Sequence, residues 1–145
     1  MASAHDVAKF ILRECGEMPA IKLHKLLYYC QAWSLVWDEK ELFPECIEAW
    51  ANGPVVREIY PYHRGEFRVA NWPLGDADAL SQTQQDTIRG VIGFYGDKTA
   101  QWLSDLTHRE EPWIAARTGL AEGERGDREI SPSSMHEYYS GLAKS

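Results

Sequence analysis

The segment 21–37, IKLHKLLYYCQAWSLVW, is apolar on nearly every side of the helix that its spacing predicts. At about 100° per residue, one helical stripe holds most of its large side chains, namely Leu23, Leu26, Leu27, Cys30, Trp33 and Trp37. Tyr28, Leu35 and Val36 cover much of the opposite side. A helix without a wide polar face is buried by neighbours on more than one side. We therefore expect a buried central helix, Pro19–Trp37, around which the rest of the chain packs.

The size and charge of the chain narrow the possible classes of protein. Its 145 residues suit one domain, so we expect residues 1–145 to fold as a single unit. Its net charge of −7, without a cluster of Lys and Arg, argues against a nucleic-acid partner, because phosphate contacts supply most non-specific affinity. An acidic chain is better suited to a basic protein partner.

The sequence carries no signal for a membrane or for export. No stretch approaches the roughly 18 consecutive apolar residues of a membrane-spanning helix. Residues 1–20 lack a basic segment followed by an apolar block, which would mark a secretory signal. We therefore expect a cytoplasmic protein without a membrane partner.

Neither the cysteines nor any motif predicts a bound metal or cofactor. Cys15, Cys30 and Cys46 are an odd number without a CxxC spacing. Cys30 falls on the buried stripe, where a thiol behaves as a small apolar group. The phosphate-loop, GxGxxG, GxSxG and HExxH motifs are missing from the sequence. We expect no cofactor and no metal.

Turn and capping residues define the elements on either side of the central helix. Ser3 followed by Asp6 resembles a capping box and Gly16 is a natural stop, which predicts a first helix between them. The segment Leu42–Ala51 resembles two short strands and predicts a small β-hairpin, closed by the sequence Asn-Gly-Pro that follows it. Pro54 is expected to begin a further helix, because proline is favoured at the first helical position.

The second half of the chain is predicted to be helical apart from an irregular connection over 62–78. Ser81 with Gln84 forms a capping box, and apolar residues follow at helical spacing, namely Ile88, Val91, Ile92 and Tyr95. Further helices are expected at 99–106 and after Ser131. The fold class predicted from these patterns is mainly α: a compact single-domain helical bundle around the buried central helix, with the small β-hairpin beside it.

One local cluster could carry chemistry. His108 has Asp105 three residues before it and Glu110 two residues after it, and a carboxylate can orient an imidazole. One hypothesis is therefore a small hydrolase using His108 with Asp105 or Glu110. The structural alternative is that Thr107 and His108 form hydrogen bonds at a helix-to-loop turn, and this alternative is favoured.

Two other groups of residues allow a structural and a functional interpretation. Glu48 and Trp50 lie on one face of the predicted hairpin, where the carboxylate either faces water or, as we favour, forms an ion pair with Lys25 or Arg57. Trp72 lies in an irregular loop, so it either covers the core or is an exposed anchor for a partner.

Three blocks of the sequence together resemble the Panacea, or SocA-like, antitoxin domain. They are LHKLLYYCQAW at 23–33, IEAWANGPVVREIY at 47–60 and LSDLTHREEPW at 103–113. Members of that family carry a KLLYYxQAW-type helix, an EAWxxGPVxxxxY stretch and an LSxxTHxExPW stretch in the same order. The resemblance covers about residues 6–113 and leaves 114–145 as a C-terminal extension that ends in a short helix.

The resemblance implies a function as an antitoxin in a bacterial or phage-associated toxin–antitoxin system. Such a domain neutralises a cognate toxin protein encoded nearby, by direct protein–protein binding and without catalysis. An alternative is a proteolytic adaptor that delivers the toxin to a protease such as ClpXP. The two corners within the family-like blocks and the loop tryptophan supply the predicted toxin-binding residues, namely Trp50, Gly53, Pro54, Trp72, Thr107, His108, Pro112 and Trp113.

Overall fold

The central helix, α2, runs from Ala20 to Trp37, and 13 of its 18 residues are buried. The coordinates are a computed structural model that describes residues 2–144. The other helices are α1 (Ala4–Cys15), α3 (Gln82–Tyr95), α4 (Ala100–Thr107), α5 (Glu111–Ala116) and α6 (Pro132–Ala143). Because α2 contacts α1, α3, α4 and α6, the prediction of a buried central helix in a mainly α fold is confirmed.

The predicted helix ends are largely confirmed. Ser3 with Asp6 and Ser81 with Gln84 form complete capping boxes at the starts of α1 and α3. Gly16 ends α1 with φ +81°, a conformation that side chains disfavour. The predicted start of the central helix differs by one residue, because Pro19 is its N-cap and belongs to a two-residue strand.

The hairpin is present but lies further along the chain than Leu42–Ala51. Strand β2 (Ile47–Trp50) pairs antiparallel with β3 (Gly53–Val56), and the turn lies between them. Leu42 and Phe43 are buried outside any strand, where the Gln31 side chain bonds the N–H of Leu42 at 2.6 Å and the carbonyl of Phe43 at 2.7 Å.

The prediction that a helix begins at Pro54 is wrong. Pro54, Val55 and Val56 instead lie in β3, and the two valines are β-branched residues that favour strands. Only residues 60–62 then form a 3-10 turn.

The segment 62–78, expected to be irregular, contains a short strand. β4 (Arg68–Val69) pairs antiparallel with β1 (Met18–Pro19), immediately before the central helix. A second 3-10 turn follows at residues 77–79. Two-residue strands have no periodicity that a sequence could display, so this pairing could not be predicted.

The C-terminal residues add a strand contact and a helix. Ile130 donates its N–H to the carbonyl of Ile47 at 2.8 Å, and Ala49 donates to the carbonyl of Arg128 at 2.8 Å, so residues 128–130 lie along β2. α6 packs on α2, with Met135 and Tyr139 buried.

Some classes of feature are missing from residues 2–144. No helix in this range is long and apolar enough to cross a membrane. Within the same residues, no group of three or more His, Cys, Asp and Glu side chains could hold a metal ion. Cys15, Cys30 and Cys46 are free thiols.

Candidate functional site

A cleft of about 970 Å³ opens between the first half of α2, the hairpin and the segment that follows it. We call it the histidine–lysine cleft, and its lining includes His24, Lys25, Glu48, Trp50, Tyr60 and His63. Its volume falls within the range of small-molecule sites. The aromatic rings of Trp50 and Tyr60 meet edge to face with centroids 4.9 Å apart on one wall.

His24 and His63 form a buried pair whose tautomers follow from the hydrogen bonds. Nδ1 of His24 accepts the Val56 N–H at 3.1 Å, so the proton of the neutral ring is on Nε2. That Nε2 donates to Nε2 of His63 at 2.6 Å. Burial, together with His63 and Lys25, lowers the pKa of His24 well below its usual value, and burial also lowers the pKa of His63. Both rings are therefore held neutral.

Lys25 is completely buried, and its Nζ has no hydrogen-bond partner among residues 2–144. Burial lowers its pKa to about 8, so the ammonium is still mostly charged at neutral pH. A Cβ added to Gly53 would lie 2.6 Å from both Cε and Nζ, so the end of the lysine packs against the hairpin at that glycine. An unpaired buried cation is destabilising unless a counter-charge is supplied.

The carboxylate of Glu48 lines the same cleft and could neutralise Lys25, but it already has other partners. It accepts Nε1 of Trp50 at 2.8 Å and Nη1 of Arg57 at 3.3 Å. Of the two partners predicted for Glu48, the structure therefore selects Arg57 rather than Lys25.

His108 is not assembled into a hydrolytic site with either of its neighbouring carboxylates. Asp105 accepts a hydrogen bond from Gln101 at 2.9 Å, and Glu110 is held by two tyrosines in the core. The His108 ring instead stacks on Trp113 with centroids 4.2 Å apart. Burial, followed by the charge of Lys25, lowers the pKa of His108. This geometry favours the structural interpretation of the turn.

The eight predicted toxin-binding residues fall into a buried group and a partly exposed group. Trp50 and His108 are partly exposed, and the others are buried. The corners do meet, because Trp113 donates from Nε1 to the Trp50 carbonyl at 2.9 Å. The buried members are Gly53, Pro54, Trp72, Thr107, Pro112 and Trp113.

Trp72 covers the core rather than standing free. It is only 5% exposed and donates from Nε1 to Nδ1 of His5 at 3.0 Å. Of the two interpretations left open by the sequence, the structure therefore favours a loop residue that covers the core beside the start of α1.

A second concave surface was not anticipated. We call it the apolar groove; it measures about 410 Å³ and is lined chiefly by Trp33, Trp37, Phe94, Trp102, Leu106 and Leu142. Trp37, Phe94 and Trp102 are 51%, 60% and 40% exposed. Phe94 does not belong to the apolar stripe formed by Ile88, Val91, Ile92 and Tyr95. An aromatic residue off this stripe was the signal in the sequence for an exposed apolar surface.

Comparison with known proteins identifies one family. A family model described as the antitoxin SocA-like, Panacea domain matches residues 23–114. The match contains all three sequence blocks and most of the apolar groove. No curated protein and no solved structure matches the chain significantly.

Proposed function

Because the chain belongs to the SocA-like, Panacea-domain antitoxin family, we propose that it neutralises a cognate toxin by direct protein–protein binding. The observation that carries this proposal is the family match over 23–114, which is more than half of the chain. The arrangement around His108, with its two carboxylates engaged elsewhere, supports binding over hydrolysis.

The apolar groove is the surface that we assign to the toxin. Soluble proteins rarely leave several large aromatic side chains exposed side by side, and exposed tryptophans are frequent anchors of protein interfaces. Trp37 and Trp102 enter the groove from different helices and are both about half exposed. Lys98 lies over the Trp102 ring, with its Nζ 5.2 Å from the centroid, and adds a polar rim.

The charge of the chain favours one kind of occupant. The net charge is −7, and the helices around the groove carry Asp86, Asp105 and Glu137 at exposed positions. Arg89 on α3 is paired with Glu14 at 2.8 Å, and Lys98 on the rim is paired with Asp97 at 3.6 Å, so the charges of these two cations are balanced. We therefore propose that the groove receives an apolar segment of the toxin flanked by basic residues.

Of the eight toxin-binding residues predicted from the sequence, two remain candidates for direct contact. Trp50 and His108 offer side-chain surface at the meeting point of the two corners, whereas the buried members support the fold, Trp72 beside α1 and the others at the corners. We therefore predict that a toxin bound at this corner contacts the side chains of Trp50 and His108.

The test is a growth assay in which the gene beside this one is expressed alone and together with the chain. We expect growth arrest by the neighbour alone, at least hundredfold recovery of colonies on co-expression, and a complex that can be purified. A neighbour that is harmless alone, or arrest without recovery and without a complex, would overturn the proposed antitoxin function.

Variants in the same assay locate the interface. Trp37→Ser combined with Trp102→Ser should lose at least tenfold of the recovery, while Ile114→Ser, which changes an exposed apolar residue outside the groove, should retain it. Circular dichroism checks that all variants fold. Full recovery by the folded double variant would exclude the groove, and loss in a His108→Ala variant would add the corner to the interface.

The level of the toxin in the same cells distinguishes direct masking from proteolytic delivery. If binding alone neutralises the toxin, its level should stay constant when the chain is expressed. A fall in toxin level that requires a protease such as ClpXP would instead establish the adaptor mechanism.

A further inference from the structure

We propose that the histidine–lysine cleft binds a small molecule that carries an anionic group, a carboxylate or a phosphate, on a flat apolar body. This site is separate from the apolar groove and does not depend on the proposed antitoxin function. The two surfaces are lined by different residues, with the cleft bounded by the hairpin and the groove by α3 and α4.

The anionic group is inferred from Lys25. This side chain lines the cleft and is fully buried, and no group within residues 2–144 forms a hydrogen bond with its Nζ. The Glu48 carboxylate on the same cleft is occupied by Trp50 and Arg57. A ligand carboxylate or phosphate would therefore supply the counter-charge and the hydrogen-bond acceptors that Lys25 lacks in this part of the chain.

The reach of Lys25 suits this role. The ammonium is carried on four flexible methylene groups, so small rotations at the end of the side chain change where Nζ points. Gly53 leaves room for it, since a Cβ at that position would overlap Cε and Nζ at 2.6 Å. The glycine thus leaves room for the end of the Lys25 side chain.

The charge and tautomers of the cleft argue against a metal cation as the occupant. His24 uses Nδ1 to accept the Val56 N–H and Nε2 to donate to His63, so both of its nitrogens are engaged. Lys25 adds a positive charge next to this pair and would repel a cation there, whereas the carboxylates of Glu66 and Asp127, which also line the cleft, are exposed. The charge of Lys25 attracts an anion.

The flat apolar body is inferred from the walls. Trp50 and Tyr60 meet at an interplanar angle of 60°, and Phe67, which also lines the cleft, is 75% exposed. Aromatic walls with a few converging polar groups are typical of small-molecule sites. An aromatic ring on the ligand would pack against these side chains in stacked or edge-to-face geometry.

Titration with defined probes, followed by NMR at the Trp50 indole N–H, tests the proposal. The probes are benzoate, phenyl phosphate and the uncharged benzyl alcohol, and a Trp50→Phe variant assigns the signal. We expect a saturable shift with benzoate or phenyl phosphate, and at least tenfold weaker binding of benzyl alcohol. The probe that binds more tightly shows whether the anionic group of the natural ligand is a carboxylate or a phosphate.

Two variants make the result specific to Lys25. Lys25→Met should weaken binding of the anionic probe at least tenfold, whereas Lys40→Met, which removes an exposed charge, should leave it unchanged. No saturable shift with either anion would overturn the proposal, as would equal binding of benzyl alcohol or equal binding by folded Lys25→Met. The comparison of charged and uncharged probes on the wild-type chain decides the question even if the Lys25 variant fails to fold.

Discussion

Tyr139 donates its phenolic proton to Oε1 of Glu110 at 2.8 Å, which ties the last helix to the start of α5. The same oxygen accepts the hydroxyl of Tyr29 at 2.6 Å, and Tyr28 donates in turn to the Tyr139 oxygen at 2.9 Å. Glu110 is buried, and this burial raises the pKa of its carboxyl. A single acceptor thus organises three tyrosines from two helices.

Glu110→Ala should therefore lower the free energy of unfolding by about 3 kcal/mol, because it leaves two buried hydroxyl groups without an acceptor. Glu110→Gln retains a carbonyl oxygen without a charge and should change stability by less than about 1 kcal/mol. Urea unfolding at pH 7 measures both, with Glu111→Ala as the exposed control. If the glutamine and alanine variants lose equal stability, the negative charge of Glu110 is the stabilising feature.

Replacing Lys25 should stabilise the ligand-free protein. The pKa of this lysine is about 8 in the folded chain and 10.5 when the side chain is fully solvated, as in an unfolded chain. Between these values the unfolded chain binds the extra proton, so the free energy of unfolding should rise with pH by about 3 kcal/mol. Below pH 8 both states are protonated, and the full penalty for the buried charge is present.

Lys25→Met should remove this pH dependence and raise stability at pH 7 by about 1–3 kcal/mol, since an apolar side chain of similar length fills the same space. Urea unfolding at pH 7, 8.5 and 10 measures the effect, with Lys40→Met as the control. An unchanged slope between pH 8 and 10 in Lys25→Met would show that another group carries the dependence.

Acid should destabilise the protein through its buried histidines. The pKa of His24 is lowered well below 6.5 by burial, and those of His63 and His108 are lowered as well. Below pH 6.5 the unfolded chain binds protons that the folded chain does not, so the free energy of unfolding falls as pH falls. Protonation of His63 would place its Nε2–H against that of His24, and protonation of His24 would place its Nδ1–H against the Val56 N–H.

His24→Gln should reduce this acid sensitivity, because an amide can accept the Val56 N–H and does not titrate. The decrease in unfolding free energy between pH 7 and 5 is the quantity to compare. His136→Gln, at an exposed site paired with Glu39, is the control. Equal acid sensitivity of wild type and His24→Gln would place the titrating group elsewhere.

Gly53→Ala should be more damaging than the same change at Gly65. Both glycines have a positive φ, +124° and +88°, which disfavours any side chain. At Gly53 the new methyl group would also lie 3.3 Å from Oγ1 of Thr107 and would force the end of Lys25, 2.6 Å away, to rotate, whereas at Gly65 no described atom beyond the adjacent residues lies within 4 Å. We expect Gly65→Ala to cost about 1 kcal/mol and Gly53→Ala at least twice that, measured by urea unfolding. Similar losses would mean that Lys25 moves aside freely.

The helices were predictable because their signals are local. The apolar surface of α2, the Ser3–Asp6 and Ser81–Gln84 capping boxes and the stop at Gly16 all depend on residues within a few positions of each other. In the structure these features lie within one residue of their predicted positions, as at Pro19.

The errors arose where distant residues decide the structure. Pro54 suits a helix start, but pairing of residues 53–56 with β2 outweighs this local preference. Leu42 and Phe43 have strand character, yet the Gln31 side chain on α2 occupies their backbone groups. Neither outcome can be inferred from spacing along the chain.

The candidate sites were predicted only in part. The Glu48–Arg57 pair was one of two expected alternatives, and the meeting of the two corners at Trp50 and Trp113 follows the order of the family-like blocks. The isolation of Lys25 was not foreseeable, because it depends on where every nearby carboxylate points. The groove at Trp37 likewise requires knowledge of how four helices meet.

The segment 128–130 limits how a toxin can approach the hairpin. One edge of β2 is paired with β3, and the other already bonds to this segment through Ala49 and Ile47. Arg117 also donates to the Ala49 carbonyl, at 2.9 Å. A partner that binds by adding a strand to a sheet needs unpaired backbone groups. For β2 such a partner would first have to displace residues 128–130, so recognition by this chain should rely on side chains rather than on backbone pairing at that edge.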